Sequence, residues 1–229
     1  LSSREFRNKL VFMKCKNCKK NSLKKVVEIG KQPLSGFFYS KKKQNLKKYS
    51  LDLYKCSKCN LVQLFNNVNI KKMYGKHYGY KTSVSKMMIS HLKEKVERLK
   101  KSKIITIKNN VLDIGSNDAS FLKLLKKNFN LYGVDPSAKK FKKEYKGMKL
   151  IPEFFSKKNI FKHTKNKNIK FDLISSFAIF YDVEDPNSFC KDIKDLLNDD
   201  GKWILELSYF PSLLKKLTYD QFIKEAYQV

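Results

Sequence analysis

From Val111 onward, short apolar runs alternate with stretches whose apolar residues recur at helical spacing. Residues 111–114, 131–134, 171–177 and 202–208 have strand length and aliphatic or aromatic content, and a shorter run of this kind lies near Leu150. Between them, 118–128, 137–145 and 186–197 read as helices. Such alternation predicts an α/β domain with a doubly wound parallel sheet. Upstream, Val84, Met87, Met88, Leu92, Val96 and Leu99 lie near helical spacing, which predicts an amphipathic connecting helix with Ser83 as its N-cap. The pattern is different again between Val26 and Cys56, where "VVEIGKQPLSGFFYS" and "YSLDLYKC" read as short strands broken by Gly30, Pro33 and Gly36. A module this small and loop-rich needs something besides hydrophobic burial to hold it.

Four of the five cysteines supply that. They form two C-x-x-C pairs, Cys15 with Cys18 and Cys56 with Cys59, with residues 19–55 between them. Each pair can aim two thiolates at one point, and two pairs complete a closed tetrahedral S4 site suited to Zn²⁺. Neighbouring lysines favour the thiolate form. The competing reading is two disulfides or idle thiols, for which nothing in the chain indicates the oxidising compartment required. Cys190 stands apart on an expected helix, as a core thiol.

Composition changes the picture little. The 229 residues, 41% of them hydrophobic and 13% aromatic, suffice for a real core. No apolar stretch is long enough to span a membrane, and the expected setting is the cytoplasm. The net charge of +29 ordinarily points to a polyanion partner. Here the arginines are only Arg4, Arg7 and Arg98, and the lysines are spread along the chain. Bidentate phosphate and base recognition favours Arg, so solvated Lys faces are the plainer reading. A zinc-ribbon nucleic-acid-binding protein or RNA methyltransferase remains the rival. A cofactor-binding remnant serving as an interaction module is a third reading.

The candidate chemistry sits in "VLDIGSNDAS", Val111 to Ser120, a strand running into a single-glycine turn that carries two acids. Twenty residues past Gly115 the next strand ends in Asp135, where an acid can accept hydrogen bonds from both ribose hydroxyls of an adenosine ligand. A dinucleotide would need a G-x-G-x-x-G turn for its pyrophosphate, and Asp113 and Asp118 would repel those phosphates. S-Adenosylmethionine carries no phosphate and presents a sulfonium and an ammonium, so the loop favours it. Gly115 is expected to let the backbone approach this cofactor, with Asp113, Ser116, Asn117 and Asp118 around its methionine end and Asp135 and Pro136 at the ribose. Phe154, Phe155 or Phe177 flank the adenine or pack in the core. The "YGKHYGY" segment, Tyr74 to Tyr80, lines a substrate cleft or packs at an interface, and His77 and His91 read as surface or interface residues.

These stretches together resemble the zinc-containing sugar C-methyltransferases. The matching segments are the paired C-x-x-C, "QPLSGFF", "CNLVQLF", "YGYKTSVSKMMISHL", "VLDIGSNDASFL", "GVDPS" and "FDLISSFAIFYDVEDPNSF…DGKWILELSYFPSLL", in family order from about Cys15 to Asp220. The resemblance implies a Rossmann-like class I methyltransferase domain, incomplete at its C-terminus, preceded by a small zinc-binding module. The organisation expected is 1–12 as an upstream or disordered extension, 13–72 as the zinc module, 73–103 as the tyrosine-rich segment and linking helix, and 104–229 as the partial cofactor-binding domain. It also implies a nucleotide-linked keto-deoxysugar substrate, with Tyr78 and Tyr80 donating to an enolate or holding the sugar and Glu225 orienting groups. The chain departs from the family in two places. Ala119 stands where the family usually has Gly, and the family's His-Glu-His is replaced by Lys224, Glu225 and Ala226. The base histidine is therefore missing on that register, and a chain of this kind is expected to bind cofactor and turn over poorly.

Overall fold

The computed structural model describes residues 14–33, 47–64, 70–75, 78–105, 109–125 and 129–216. They fall into two compact units. One is built on residues up to Met73 with Tyr181–Asn187 and the chain from Ser208; the other on Tyr74–Phe180 and Ser188–Leu207.

In the first unit β1 (Leu23–Val27), β4 (Leu53–Cys56) and β5 (Val62–Leu64) form a three-stranded antiparallel sheet with β4 in the middle, and β2 (Lys31–Pro33) pairs with β3 (Lys48–Ser50) as a separate ribbon. Among the described residues of this unit, Cys15, Leu51, Leu53 and Cys56 are the side chains at 1% exposure or less. The 181–187 segment joins the first cysteine turn through a Lys19–Asp185 ion pair of 2.9 Å and an Asn187 amide donating to the Asn17 carbonyl at 2.7 Å. Short helices α1 (Ile70–Met73) and, near the C-terminal end of the described chain, α6 (Phe210–Lys216) also belong to this unit.

The second unit begins at the predicted amphipathic helix, α2 (Lys86–Lys101), which buries Leu92, Val96 and Leu99 against Val111, Leu122, Leu131 and Leu173. Each such side chain contributes about 1.5–3 kcal/mol. Its N-cap is Ser85, accepting from the Met88 amide at 3.2 Å, because residues 82–84 form a separate 3-10 turn and Ser83 lies inside it. There follow β6 (Asn110–Ile114), α3 (Ser120–Leu124), β7 (Asn130–Val134), a 3-10 helix (Ala138–Tyr145), β8 (Lys149–Ile151), α4 (Lys157–Thr164), β9 (Phe171–Phe177), α5 (Pro186–Leu196) and β10 (Leu197–Glu206). The strand order is β10-β9-β6-β7-β8 with every pair parallel. Two successive crossovers from β6 go one way and the next returns to its other side. The switch point thus lies between β6 and β9, where such sheets place ligands at the carboxyl ends of their strands.

Three elements differ from the sequence reading. The helix expected from residue 118 starts at Ser120, because Asn117 and Ala119 hold φ of 45° and 59°, left-handed values that no α-helix includes. The 137–145 segment is a 3-10 helix kinked at Phe141. The strand expected at 202–208 starts at Leu197, has a bulge before Lys202 and ends at Glu206. In the outer part of the sheet Trp203 donates its indole N–H to Ser176 Oγ at 2.9 Å and packs against Phe180 and Phe189. No helix among the described residues is long and apolar enough to cross a membrane.

Candidate metal centre and cofactor loop

The two cysteine turns have the same local geometry. In the first, the Lys19 amide donates to the Cys15 carbonyl at 3.0 Å and Lys19 has φ 59°; in the second, the Asn60 amide donates to the Cys56 carbonyl at 3.0 Å and Asn60 has φ 62°. Each turn therefore curls its two thiols toward one side. Cys15 Sγ lies 3.5 Å from Cys59 Sγ and Cys18 Sγ 3.6 Å from Cys56 Sγ, with all four sulfurs within 4.8 Å of one another. Four sulfurs at Zn–S distances of about 2.3 Å stand about 3.8 Å apart on a tetrahedron, so the spacing fits Zn²⁺. The Lys16 amide donates to Gln63 Oε1 at 2.9 Å, tying the first turn to β5. The Ser22 hydroxyl, 3.0 Å from Cys56 Sγ, draws that thiol down to about 6, while burial holds Cys15 up at about 12. Cys190 is half-buried on α5, its thiol raised by burial.

At the carboxyl end of β6 the chain turns at Gly115, with φ 75°, and a Cβ there would run into the Ile179 side chain. Asp113 is 4% exposed and accepts from Ser175 Oγ at 2.6 Å. Burial raises its carboxyl to about 7; the Ser175 hydrogen bond opposes this and the charge of Asp135 adds to it. Asp135, at the end of β7, accepts from the Asn117 amide at 2.9 Å and from the amide and hydroxyl of Ser137 at 2.6 and 2.7 Å. Pro136 follows it, half-buried.

Ser116 and Asn117 are fixed by a residue that the sequence reading did not single out. Tyr145 is 4% exposed and donates its hydroxyl to the Asn117 carbonyl at 2.8 Å, with Ser116 Oγ also at 2.8 Å. Burial drives its phenol well above the ordinary range. The fit depends on Gly133, where a Cβ would stand 2.5 Å from Ser116 Oγ and 2.7 Å from the Tyr145 ring.

The two remaining polar side chains of the loop face the tyrosine-rich segment. Asn117 Oδ1 accepts from the Thr82 amide at 3.0 Å, and its Nδ2 donates to the Tyr80 carbonyl at 3.2 Å. Asp118, fully buried, accepts from Ser120 Oγ at 2.6 Å and from the Ser83 amide at 3.1 Å. Burial works against its ionisation, yet these bonds and Lys123 leave its carboxyl below the ordinary range. Tyr78 and Tyr80 have ring centroids 6.3 Å apart, and Tyr80 is 44% exposed. Phe177 packs edge-on to Phe121 at 5.0 Å with the Lys95 ammonium 5.3 Å from its ring. His91 Nε2 meets Glu206, at the end of β10, at 2.9 Å, and Lys95 pairs with the same carboxylate. His77 and Glu225 lie outside the described residues.

Asp113 gives a pH prediction. A buried acid at about 7 binds its proton more tightly in the folded chain than in the unfolded one, whose carboxyls titrate near 4. Its contribution to stability is retained below about pH 4 and is lost as pH rises through 7. Asp113→Asn keeps an acceptor for Ser175 without a charge. It is expected to be more stable than wild type at pH 8, by about 4 kcal/mol, and to match it at pH 4. A constant difference across that range in thermal melts would contradict the assignment.

Two family models match the chain. Residues 15–74 match a family described as "Putative zinc binding domain", and residues 85–224 match one described as "Methyltransferase domain". This chain belongs to the methyltransferase-domain family. Its zinc-binding segment covers all four clustered cysteines, and its methyltransferase domain is the Rossmann-like parallel sheet described above. The C-methyltransferase NovU of Streptomyces niveus is 24% identical over 215 residues, which is 92% of this chain and 51% of that protein. The chain thus spans about half the length of this curated relative. Among solved structures, the PH0226 protein of Pyrococcus horikoshii OT3 aligns at 18% identity over 64% of this chain and 66% of that one, with TM-score 0.46. The plantazolicin methyltransferase BamL, in complex with triazolic desmethylPZN analog and SAH, aligns at 23% over 61% and 53%, with TM-score 0.45.

Proposed function

We propose that this methyltransferase domain transfers a methyl group from S-adenosylmethionine to a carbon of a nucleotide-linked keto-deoxysugar, in a cytoplasmic setting that keeps its zinc-binding thiols reduced. The observation that carries the cofactor half is the pairing of the Gly115 turn with Asp135 on adjacent strand ends. The likeness to a C-methyltransferase over most of this chain supports carbon as the acceptor atom.

When bound, the cofactor supplies an electrophilic methyl on a sulfonium. Asp135 would accept hydrogen bonds from the ribose hydroxyls, and Gly115, lacking a Cβ, would let the backbone approach the cofactor. Asp113, on the strand end next to them, balances the cofactor's positive charge once it has lost its proton. On the substrate, a base removes the proton from the carbon beside the keto group. Tyr78 and Tyr80 donate to the oxygen on which the enolate charge grows, which is where a fixed donor lowers the barrier most. Glu225 is assigned the orienting of groups by its match to the family segment alone. The zinc site, with four protein ligands and no open position, is structural.

Calorimetry with S-adenosylmethionine and with NAD, followed by mass spectrometry of keto-deoxysugar nucleotides incubated with the protein, tests this reading. Binding of the first and not the second is expected, with slow methylation of the sugar, since Lys224 and Ala226 stand where the family carries histidines. Heat with NAD alone would overturn the cofactor assignment, and methylation of RNA in place of the sugar would overturn the substrate assignment.

A further inference from the structure

We infer that Asn117 is a positioning residue that transmits occupancy of the cofactor site to the tyrosine-bearing segment; this rests on the proposed S-adenosylmethionine reading and adds a coupling that the reading does not require. Every hydrogen-bonding part of Asn117 except one amide hydrogen is committed, and in three directions. Its backbone amide donates to Asp135 Oδ2 at 2.9 Å, and its carbonyl accepts from Tyr145 at 2.8 Å. Its side chain receives the Thr82 amide at 3.0 Å and holds the Tyr80 carbonyl at 3.2 Å. The residue is 6% exposed with φ 45°, a conformation that Asn tolerates better than most residues because its short polar side chain bonds locally. Asp118 adds a parallel tie to the Ser83 amide at 3.1 Å.

A nucleoside on Asp135 shares that carboxylate with the Asn117 amide. Engaging one oxygen fixes the other, and the peptide of Asn117 with it. The entropy cost of ordering residues 80–83 then falls, which is positive coupling without a large movement. Tyr80 lies in this tied segment and Tyr78 is two residues before it, their rings 6.3 Å apart. Cofactor binding thereby sets where the phenols stand before substrate arrives.

The test is hydrogen exchange on the whole chain with and without saturating S-adenosylhomocysteine, with binding measured separately by calorimetry. In wild type the ligand is expected to slow exchange at the Thr82 and Ser83 amides about tenfold. Asn117→Gly keeps the left-handed backbone and removes the side-chain bonds. Its own affinity is measured first and exchange is compared at a ligand concentration that saturates it; most of the slowing at 82 should be lost, with exchange in α3 unchanged as proof of an intact fold. Equal slowing at 82 in Asn117→Gly, or ligand heat in wild type with no response there, overturns the inference and leaves the cofactor reading standing. Absence of heat in wild type brings down the cofactor reading, and this inference with it.

Discussion

Stripping the metal, or replacing Cys56 by Ser, is expected to unfold β1, β4 and β5 and leave the parallel sheet folded. Among its described residues the first unit has few side chains wholly out of water, at about 1.5–3 kcal/mol each. Ordering costs on the order of 1.5 kcal/mol for every residue of its five short strands and their turns. A closed zinc site supplies roughly 10 kcal/mol or more, because the unfolded chain offers no preformed ligand set. Cys56 is the sharpest single position: its thiol lies beside Ser22 and Cys18, its amide bonds Leu61, and its carbonyl anchors the second turn. Metal analysis should return about one zinc per wild-type chain. Exchange protection of β1, β4 and β5 should vanish with chelator. Native protection of those strands in metal-free protein would show that the cysteines are not what holds the unit.

The second large effect is expected at Asp135. Asp135→Ala removes the proposed acceptor for the ribose hydroxyls and takes the Asp135 carboxylate from the Asn117 and Ser137 amides. Hydrogen bonds to a charged group are worth about 1.5–3 kcal/mol each. S-Adenosylmethionine binding should therefore weaken by roughly 10²–10⁴-fold. Asp135→Asn keeps one good acceptor and should lose less. Calorimetry that finds Asp135→Ala within threefold of wild type would remove the acid from the cofactor site.

Much of this architecture is legible in the sequence where the signal is local. The cysteine pairs are fixed by spacing, and β6, β7 and β9 are compact apolar runs. Asp135 is placed by counting from Gly115. What was not legible depends on contacts between distant segments. The helix Lys157–Thr164 has only Ile160 and Phe161 as apolar residues, too few to show a period, and its start is set by Ser156 capping the Asn159 amide. The Thr82 and Ser83 amides that meet the side chains of Asn117 and Asp118 are 35 residues upstream in sequence, so no pattern in the glycine loop announces them. Tyr145 gave no signal as the residue that locks Ser116, because its role exists only where Gly133 leaves space for it. Ser175 and Ser176 were the one available hint: two adjacent serines in an apolar strand are both fully buried, bonding Asp113 and Trp203.

Trp203 is the only tryptophan in the chain, and it lies in the second unit with Phe180 and Phe189 around it. The indole emission of this protein consequently comes from one position in the parallel sheet, so a fluorescence melt reports the unfolding of that sheet.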